Sequence, residues 1–137
     1  MMLRRDQRGS AVVELTILTP AMLIVLMFVV ATGRIAQASN DVYGAAADAA
    51  RAASMRQHAV GAEADARATA ARSLSDRGVT CHGLRVGVDA SRLGPGGTVT
   101  VAVTCTVGLH DLGLLGLPGS RSVSATAHEI VDSYRGT

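Results

Sequence analysis

The chain has 137 residues, of which 48% are apolar and 2% aromatic, and a formal net charge of +2. This length suits one small domain with a membrane segment, and we expect no second domain. All 13 basic residues are arginine, and the small net charge offers no basic patch for nucleic acid. Because rings are scarce, valine, leucine and alanine have to build the core, and we expect extra stabilisation from elsewhere.

A long apolar run lies near the N-terminus. From Leu15 to Ala31 threonine is the only polar residue type, and with residues 11–13 the run reaches about 20 residues, enough for a helix across the hydrocarbon core of a membrane. Three arginines precede the run, whereas one early cation, Arg34, follows it. This bias predicts that the N-terminus lies in the cytoplasm and the rest of the chain outside.

A secretory signal peptide is one alternative interpretation of this region. It would share the basic start, and Ala31-Thr32-Gly33 would provide the small-residue cleavage site. The apolar run is long for a signal peptide, however, and Glu14 lies where such a peptide is purely hydrophobic. A carboxylate inside the membrane boundary needs a reason. One reason is that Glu14 reaches back to the lipid headgroups or to Arg8.

The residues around Gly9 suggest another reason. A basic leader, a Gly9-Ser10 bond and a glutamate shortly after it resemble the processing site of type IV pilins and pseudopilins. The wider pattern resembles the TadE-like minor pilins of tight-adherence pili. It runs from Arg8 to Glu14 and continues with Pro20, Gly33-Arg34 and the alanine-rich residues 45–53.

This resemblance carries implications for the mechanism. A prepilin peptidase would cut after Gly9 on the cytoplasmic side, leaving Ser10 as the N-terminus and the apolar helix attached. In a bundle of such helices, the freed α-amino group of a neighbouring subunit would neutralise Glu14 and set the axial register. The implied partners are this peptidase, other pilin and minor pilin subunits, the pilus assembly platform and the membrane. One departure from the family is that Leu15 and Ile35 stand where members often have an aromatic residue.

An alanine-rich helical region follows the apolar run. Residues 33–55 contain no proline, so we expect the same helix to continue to about Arg56. Pro20 should bend this helix or melt one of its turns. Small apolar residues recur at spacings of three and four, and we favour their packing against the chain's own domain over a partner's groove. The members of this small-residue stripe are Ile35, Ala38, Val42, Ala46, Ala49 and Ala53.

A second helix is predicted after a break at Gln57–Gly61. It covers Glu63–Arg77, and Gly78 ends it at the usual C-terminal position. One face carries the apolar residues Ala62, Ala66, Ala70 and Leu74.

The apolar period then changes from 3.6 to 2, which predicts β-structure. Leu84–Val88 and Val99–Val107 should form a hairpin with one apolar face, joined by a turn at Leu93–Gly97. In the simplest register, Val88 pairs with Val99 and Leu84 with Val103.

The two cysteines lie at the far end of this hairpin. In that register Cys105 is opposite position 82, and a small irregularity at Gly83 would let it meet Cys81. Outside the membrane, we expect these cysteines to form a disulfide rather than two reactive thiols. Closing this loop is worth about 3.5 kcal/mol in the chain-entropy model.

The last third of the chain completes the fold. The leucine-rich residues 108–119 should cover the hairpin or the alanine helix, the alternative being a contact with other subunits. Ser120–Ile130 should be a third strand with Val123, Ala125 and Ala127 on one face. The predicted fold is therefore α+β, with a long membrane-spanning helix, a second helix and a three-stranded antiparallel sheet. The predicted segments are a leader at 1–9, a transmembrane helix at 10–33, an alanine-rich helical stalk and second helix at 34–77, and a β-rich head at 78–137.

No motif in the sequence predicts catalysis. The histidines at positions 58, 82, 110 and 128 lack the close spacing of a metal-binding helix. His82 is better interpreted as a neighbour of a disulfide than as half of a nucleophile pair, and His110-Asp111 as a chance pair in a loop. Gly94–Gly97 lacks the helix start that phosphate binding uses. We therefore expect no enzyme activity, metal, cofactor or small-molecule substrate.

The sequence thus predicts a TadE-like minor pilin or pseudopilin, a single-pass protein of the cytoplasmic membrane. It would be a structural subunit for assembly of a tight-adherence type IV pilus used in adhesion or secretion, either entering the filament or priming it. Two alternatives stay open. A signal-anchored extracytoplasmic binding module would keep its leader and would not depend on Glu14. A secreted domain cut near Gly33 would lose the helix.

Overall fold

The computed structural model describes residues 8–112, 116 and 118–134, with side chains from residue 12 onward. Two helices precede a three-stranded antiparallel sheet of order β1-β2-β3, so the α+β prediction is confirmed. The elements are α1 at Arg8–Ser54, α2 at Ala59–Asp76, β1 at Gly83–Asp89, β2 at Thr98–Gly108 and β3 at Ser120–Ile130. The chain divides into two compact units, Met1–Gly33 and Arg34–Thr137, and the division falls inside α1.

The core of the second unit is made of small side chains. Alternation along the central strand β2 buries one residue in two, and the alanines of both helices join these valines in a single cluster. Alanine lets a helix backbone approach a sheet closely, so many small contacts replace the missing aromatic rings. The small-residue stripe of α1 is buried from Ala38 to Ala53 and Ile35 is half-buried, which confirms that the stripe packs within its own domain.

The second helix begins four residues earlier than predicted. The break is confined to residues 55–58, and Gly61 lies inside the first turn, where the amide of Ala62 donates to the carbonyl of His58 at 3.0 Å. A single glycine does not stop a helix whose following turns bury an apolar face. That face is the predicted one and comprises Ala62, Ala66, Ala70 and Leu74.

The C-terminus of α2 is closed at Gly78, as the sequence predicted. Gly78 has a φ of 72°. Its amide donates to the carbonyl of Ser75, and the amide of Val79 donates to that of Leu74, both at 2.9 Å. This pair of bonds is the Schellman arrangement, which satisfies carbonyls that the end of a helix otherwise leaves without partners.

An arginine at the end of α2 connects the two helices. The Arg77 guanidinium lies 3.9 Å from the carboxylate of Asp41 and 3.4 Å from that of Asp48, both on α1. The hydroxyl of Ser73 donates to Asp48 at 2.7 Å. The guanidinium crosses α1 at Gly44, where an added Cβ would lie only 2.7 Å from its central carbon. The absence of a side chain at Gly44 therefore makes room for this ion-pair cluster.

The predicted hairpin register is wrong by two residues. Val88 pairs with Val101, not with Val99, although the same face of each strand is buried. The end of the loop over residues 90–97 makes two backbone hydrogen bonds to Val131, of 3.0 and 2.9 Å, which continue the pairing with β3. The first residues of β2 therefore pair with β3 alone. A shift of two residues preserves the faces, so the apolar pattern by itself did not exclude it.

The third strand has the predicted bounds and the predicted inner face. Val123 and Ala127 are buried and Ala125 is half-buried. The outer face of the sheet carries polar and small side chains. Hydroxyl groups pair across β2 and β3, between Thr104 and Ser124 at 3.0 Å and between Thr106 and Ser122 at 3.3 Å. One face of the sheet thus packs against the helices and the other faces water, as is common for an antiparallel sheet.

Candidate functional site

The first unit presents an apolar helical surface. Among the described residues, α1 is the helix long and apolar enough to cross a membrane by length and composition. Its large apolar side chains between Val12 and Val30 are all exposed. The hydroxyls of Thr16, Thr19 and Thr32 donate to carbonyls one turn earlier, at 2.7, 2.6 and 2.9 Å. These polar groups are satisfied within the helix, as a lipid environment requires.

Glu14 interrupts this apolar surface. Its side chain is exposed, and the residues one turn further along the helix are Ile17 and Leu18. Among the side chains that the structure describes, Glu14 has no ion-pair partner. The alternative contact of Glu14 with Arg8 involves a side chain outside the described part of the chain.

The predicted cleavage bond lies at the start of α1. Gly9 and Ser10 are helical, with Arg8 as the first helical residue, whereas the leader residues 1–7 lie outside the described part of the chain. Ser10 precedes Glu14 by four residues, which corresponds to about 6 Å along the axis at 1.5 Å per residue. Cleavage after Gly9 would thus place an α-amino group roughly one turn from the carboxylate.

Pro20 lies inside α1, and the helix is continuous on both sides of it. The alternative of a melted turn is therefore not realised. Pro20 has no amide proton for the carbonyl of Thr16, so the helix loses one of its hydrogen bonds at this point. A bend at Pro20 stays a prediction.

A disulfide joins Cys81 to Cys105, with the two Cα atoms 5.4 Å apart. Cys105 is fully buried on β2, and Cys81 precedes β1. Gly83 pairs regularly with Thr106 and Cys105 lies opposite Leu84, so the predicted irregularity at Gly83 is wrong although the disulfide forms. The disulfide therefore links the segment just before β1 to the central strand β2.

Beside the disulfide, the fold brings together His82, His110 and Asp111, although His82 is distant in the sequence from the other two. Nε2 of His82 lies 2.8 Å from one carboxylate oxygen of Asp111, and Nε2 of His110 lies 3.0 Å from the other. The hydrogen bond with His82 holds the pKa of the Asp111 carboxyl below its usual range, an effect that desolvation partly opposes. His82 and Asp111 are 29 positions apart, so local spacing missed this cluster. The available signal was the cysteine pairing, since each cysteine is followed closely by one of these histidines.

The leucine-rich connection is described only in part. Leu109 and Leu112 are half-buried, and Leu112 packs against the core of its own unit. Leu114, Leu115 and Leu117 lie outside the described residues. In the described part, this connection therefore packs on its own domain, as the sequence analysis favoured.

One comparison with known proteins gives a match. Residues 9–51 match the family model described as TadE-like protein, which covers about a third of the chain. The matched range contains Gly9, Ser10, Glu14 and Pro20 and stops before α2. No curated protein and no solved structure matches the chain.

The family suggests a pilin-like protein associated with a tight-adherence pilus, and it implies involvement with a pilus system and other pilin subunits. The matched range covers most of α1, the helix that could span a membrane. The resemblance predicted from the N-terminal residues is thus confirmed: residues 9–51 are similar to the TadE-like proteins.

Proposed function

We propose that this chain is a minor pilin or pseudopilin, a structural subunit for assembly of a tight-adherence type IV pilus that serves adhesion or secretion. The observation that supports it most is the arrangement of α1. The exposed apolar part of this helix, residues 12–30, contains one carboxylate, Glu14, which lies one turn after the Gly9-Ser10 bond. In this proposal the protein acts by assembly and not by catalysis.

The membrane holds α1 before assembly. The arginines of the leader remain in the cytoplasm and the unit over residues 34–137 is outside, following the charge bias of the sequence. A prepilin peptidase cuts between Gly9 and Ser10, and the helix stays in the membrane because its apolar residues lie after the cut. Pro20 bends the helix within the membrane, since the lost hydrogen bond lowers the cost of bending.

Assembly then depends on Glu14. A carboxylate in the hydrocarbon region is costly, and the cost of a charged residue at the helix centre is about 2.5–3.5 kcal/mol on insertion scales. A neighbouring subunit that brings its Ser10 α-amino group to Glu14 removes part of this cost and defines the axial register. Close packing of the apolar surfaces supplies the remaining attraction. The other partners are further pilin and minor pilin subunits and the assembly platform.

The proposal is tested by the N-terminal residue and intact mass of the protein recovered from its native membrane. Ser10 as the first residue is expected. A chain that begins at Met1 or Met2 would instead indicate an unprocessed signal-anchored binding module. A start near Arg34 would indicate a secreted domain that has discarded its helix. Either of these two results would overturn the proposal.

A further inference from the structure

His82, His110 and Asp111 form a compact set of donor atoms outside the pilin machinery. One ligand atom from each residue can be chosen so that all three lie within 4.8 Å of one another. The two imidazole rings are 6.0 Å apart between centroids. The cluster lies on the surface of the second unit, next to the disulfide, where ions in solution can reach it.

The donor set is selective in its chemistry. Two imidazole nitrogens and one carboxylate oxygen suit zinc and similar divalent transition metals, whereas calcium and magnesium prefer oxygen ligands alone. Around a tetrahedral ion with ligands at about 2.0–2.1 Å, donor atoms are roughly 3.3 Å apart. Nε2 of His82 lies 2.8 Å from one Asp111 oxygen and Nε2 of His110 lies 3.0 Å from the other, and both separations are close to that value. Only small movements of exposed side chains would admit an ion.

We propose that His82, His110 and Asp111 bind one divalent transition-metal ion of the zinc class. The ion takes Nε2 of both histidines and one or both carboxylate oxygens of Asp111, replacing the hydrogen bonds between these groups. Three protein ligands leave a fourth position to water. The bound ion ties the loop after β2 to the residue that precedes β1.

The surroundings hold the ligands in place. The Cys81–Cys105 disulfide anchors the residue before His82, and the His82 amide donates to the carbonyl of Thr106 at 2.8 Å. The loop on the other side is anchored too, since the amide of Asp111 donates to the carbonyl of Gly108 at 3.1 Å. Preorganised ligands lose less conformational entropy when they bind an ion.

The absence of a side chain at Gly108 leaves space for His110 and Asp111. A Cβ at Gly108 would lie 2.6 Å from a ring carbon of His110 and 3.0 Å from a carboxylate oxygen of Asp111. A side chain at this position would displace the His110 ring and crowd the Asp111 carboxylate. Gly108→Ala is therefore a variant that disturbs the site without removing a ligand.

The test is a calorimetric titration of the full chain, without a histidine tag, in detergent micelles after chelator treatment. Zn²⁺ alone is the probe, and Ca²⁺ is titrated in parallel. We expect one Zn²⁺ per chain and no binding of Ca²⁺ at the same concentrations. His82→Gln, His110→Gln and Asp111→Asn should each weaken Zn²⁺ binding at least tenfold, and Gly108→Ala should also weaken it. With Co²⁺, the wild type should show the visible absorption of a four-coordinate site.

His58→Gln is the matched control, because His58 is also exposed and lies outside the cluster. It should bind Zn²⁺ like the wild type. Circular dichroism and the intact mass of the disulfide form show whether each variant has folded. Wild-type affinity in folded His82→Gln and His110→Gln, or an equal loss in His58→Gln, would overturn the proposal.

Discussion

Glu14 lies on an apolar stretch of α1, and its substitution separates two explanations of the carboxylate. If the side chain only reaches the headgroups, alanine at this position should leave assembly intact. If a neighbour's amine neutralises it, Glu14→Ala should reduce incorporation into pili at least tenfold. Membrane insertion should persist, because the change removes a costly charge. The measurement is the fraction of processed protein that crosslinks to other pilin subunits.

Glu63→Ala provides the control for this prediction. Glu63 is an exposed glutamate of α2, so its loss should affect neither insertion nor assembly. Normal crosslinking of Glu14→Ala would contradict the proposed role of the carboxylate.

Gly78 is the second residue whose substitution has a definite expected outcome. Its φ of 72° is unfavourable for any residue with a Cβ, so Gly78→Ala should lower the free energy of unfolding by about 1–2 kcal/mol. Scanning calorimetry of the full chain in micelles measures this loss. Gly87→Ala is the control. An added Cβ has free space at both positions, but only Gly78 has a positive φ. Equal stability of the two variants would refute the explanation by backbone conformation.

At the scale of elements, the contact of α1 with the rest of the second unit depends on small side chains. Ala49 is fully buried in the core, so Ala49→Leu should force the packed elements apart and cost about 1–3 kcal/mol of unfolding free energy. Ala47→Leu makes the same change on the exposed side of the same helix and should be nearly neutral. Thermal unfolding of both variants is the measurement. A stable Ala49→Leu protein would mean that the core has unfilled space.

At the scale of the whole molecule, the second unit contains the complete sheet, α2 and the disulfide. Its core cluster lies entirely within residues 34–137. A fragment of these residues should therefore fold without detergent, form the Cys81–Cys105 bond and unfold cooperatively on heating. Circular dichroism and the intact mass after thiol labelling are the measurements.

Val103→Asp in the same fragment supplies a negative control, because it places an unpaired charge in the core. It should abolish cooperative unfolding. A wild-type fragment with free thiols and no cooperative transition would show that residues 1–33 are needed for folding.

The sequence by itself determined the features that depend on neighbouring residues. Hydrophobic period and length predicted both helices, the faces of the strands and the bounds of β3. Gly78 was identified as a helix end because only glycine adopts its conformation without cost. The residues that carry the proposed function, Gly9, Ser10 and Glu14, also form a contiguous motif, so no fold was needed to find them.

The tertiary structure decided what depends on distant partners. The register of β1 against β2 was decided in the folded sheet, because apolar alternation does not distinguish registers that differ by two residues. The Arg77 guanidinium can contact α1 because Gly44 has no side chain at that point. The cluster of His82, His110 and Asp111 arose because the sheet and the disulfide bring together residues distant in the chain. Local patterns report short-range forces, whereas these contacts exist only after the chain has closed its loops.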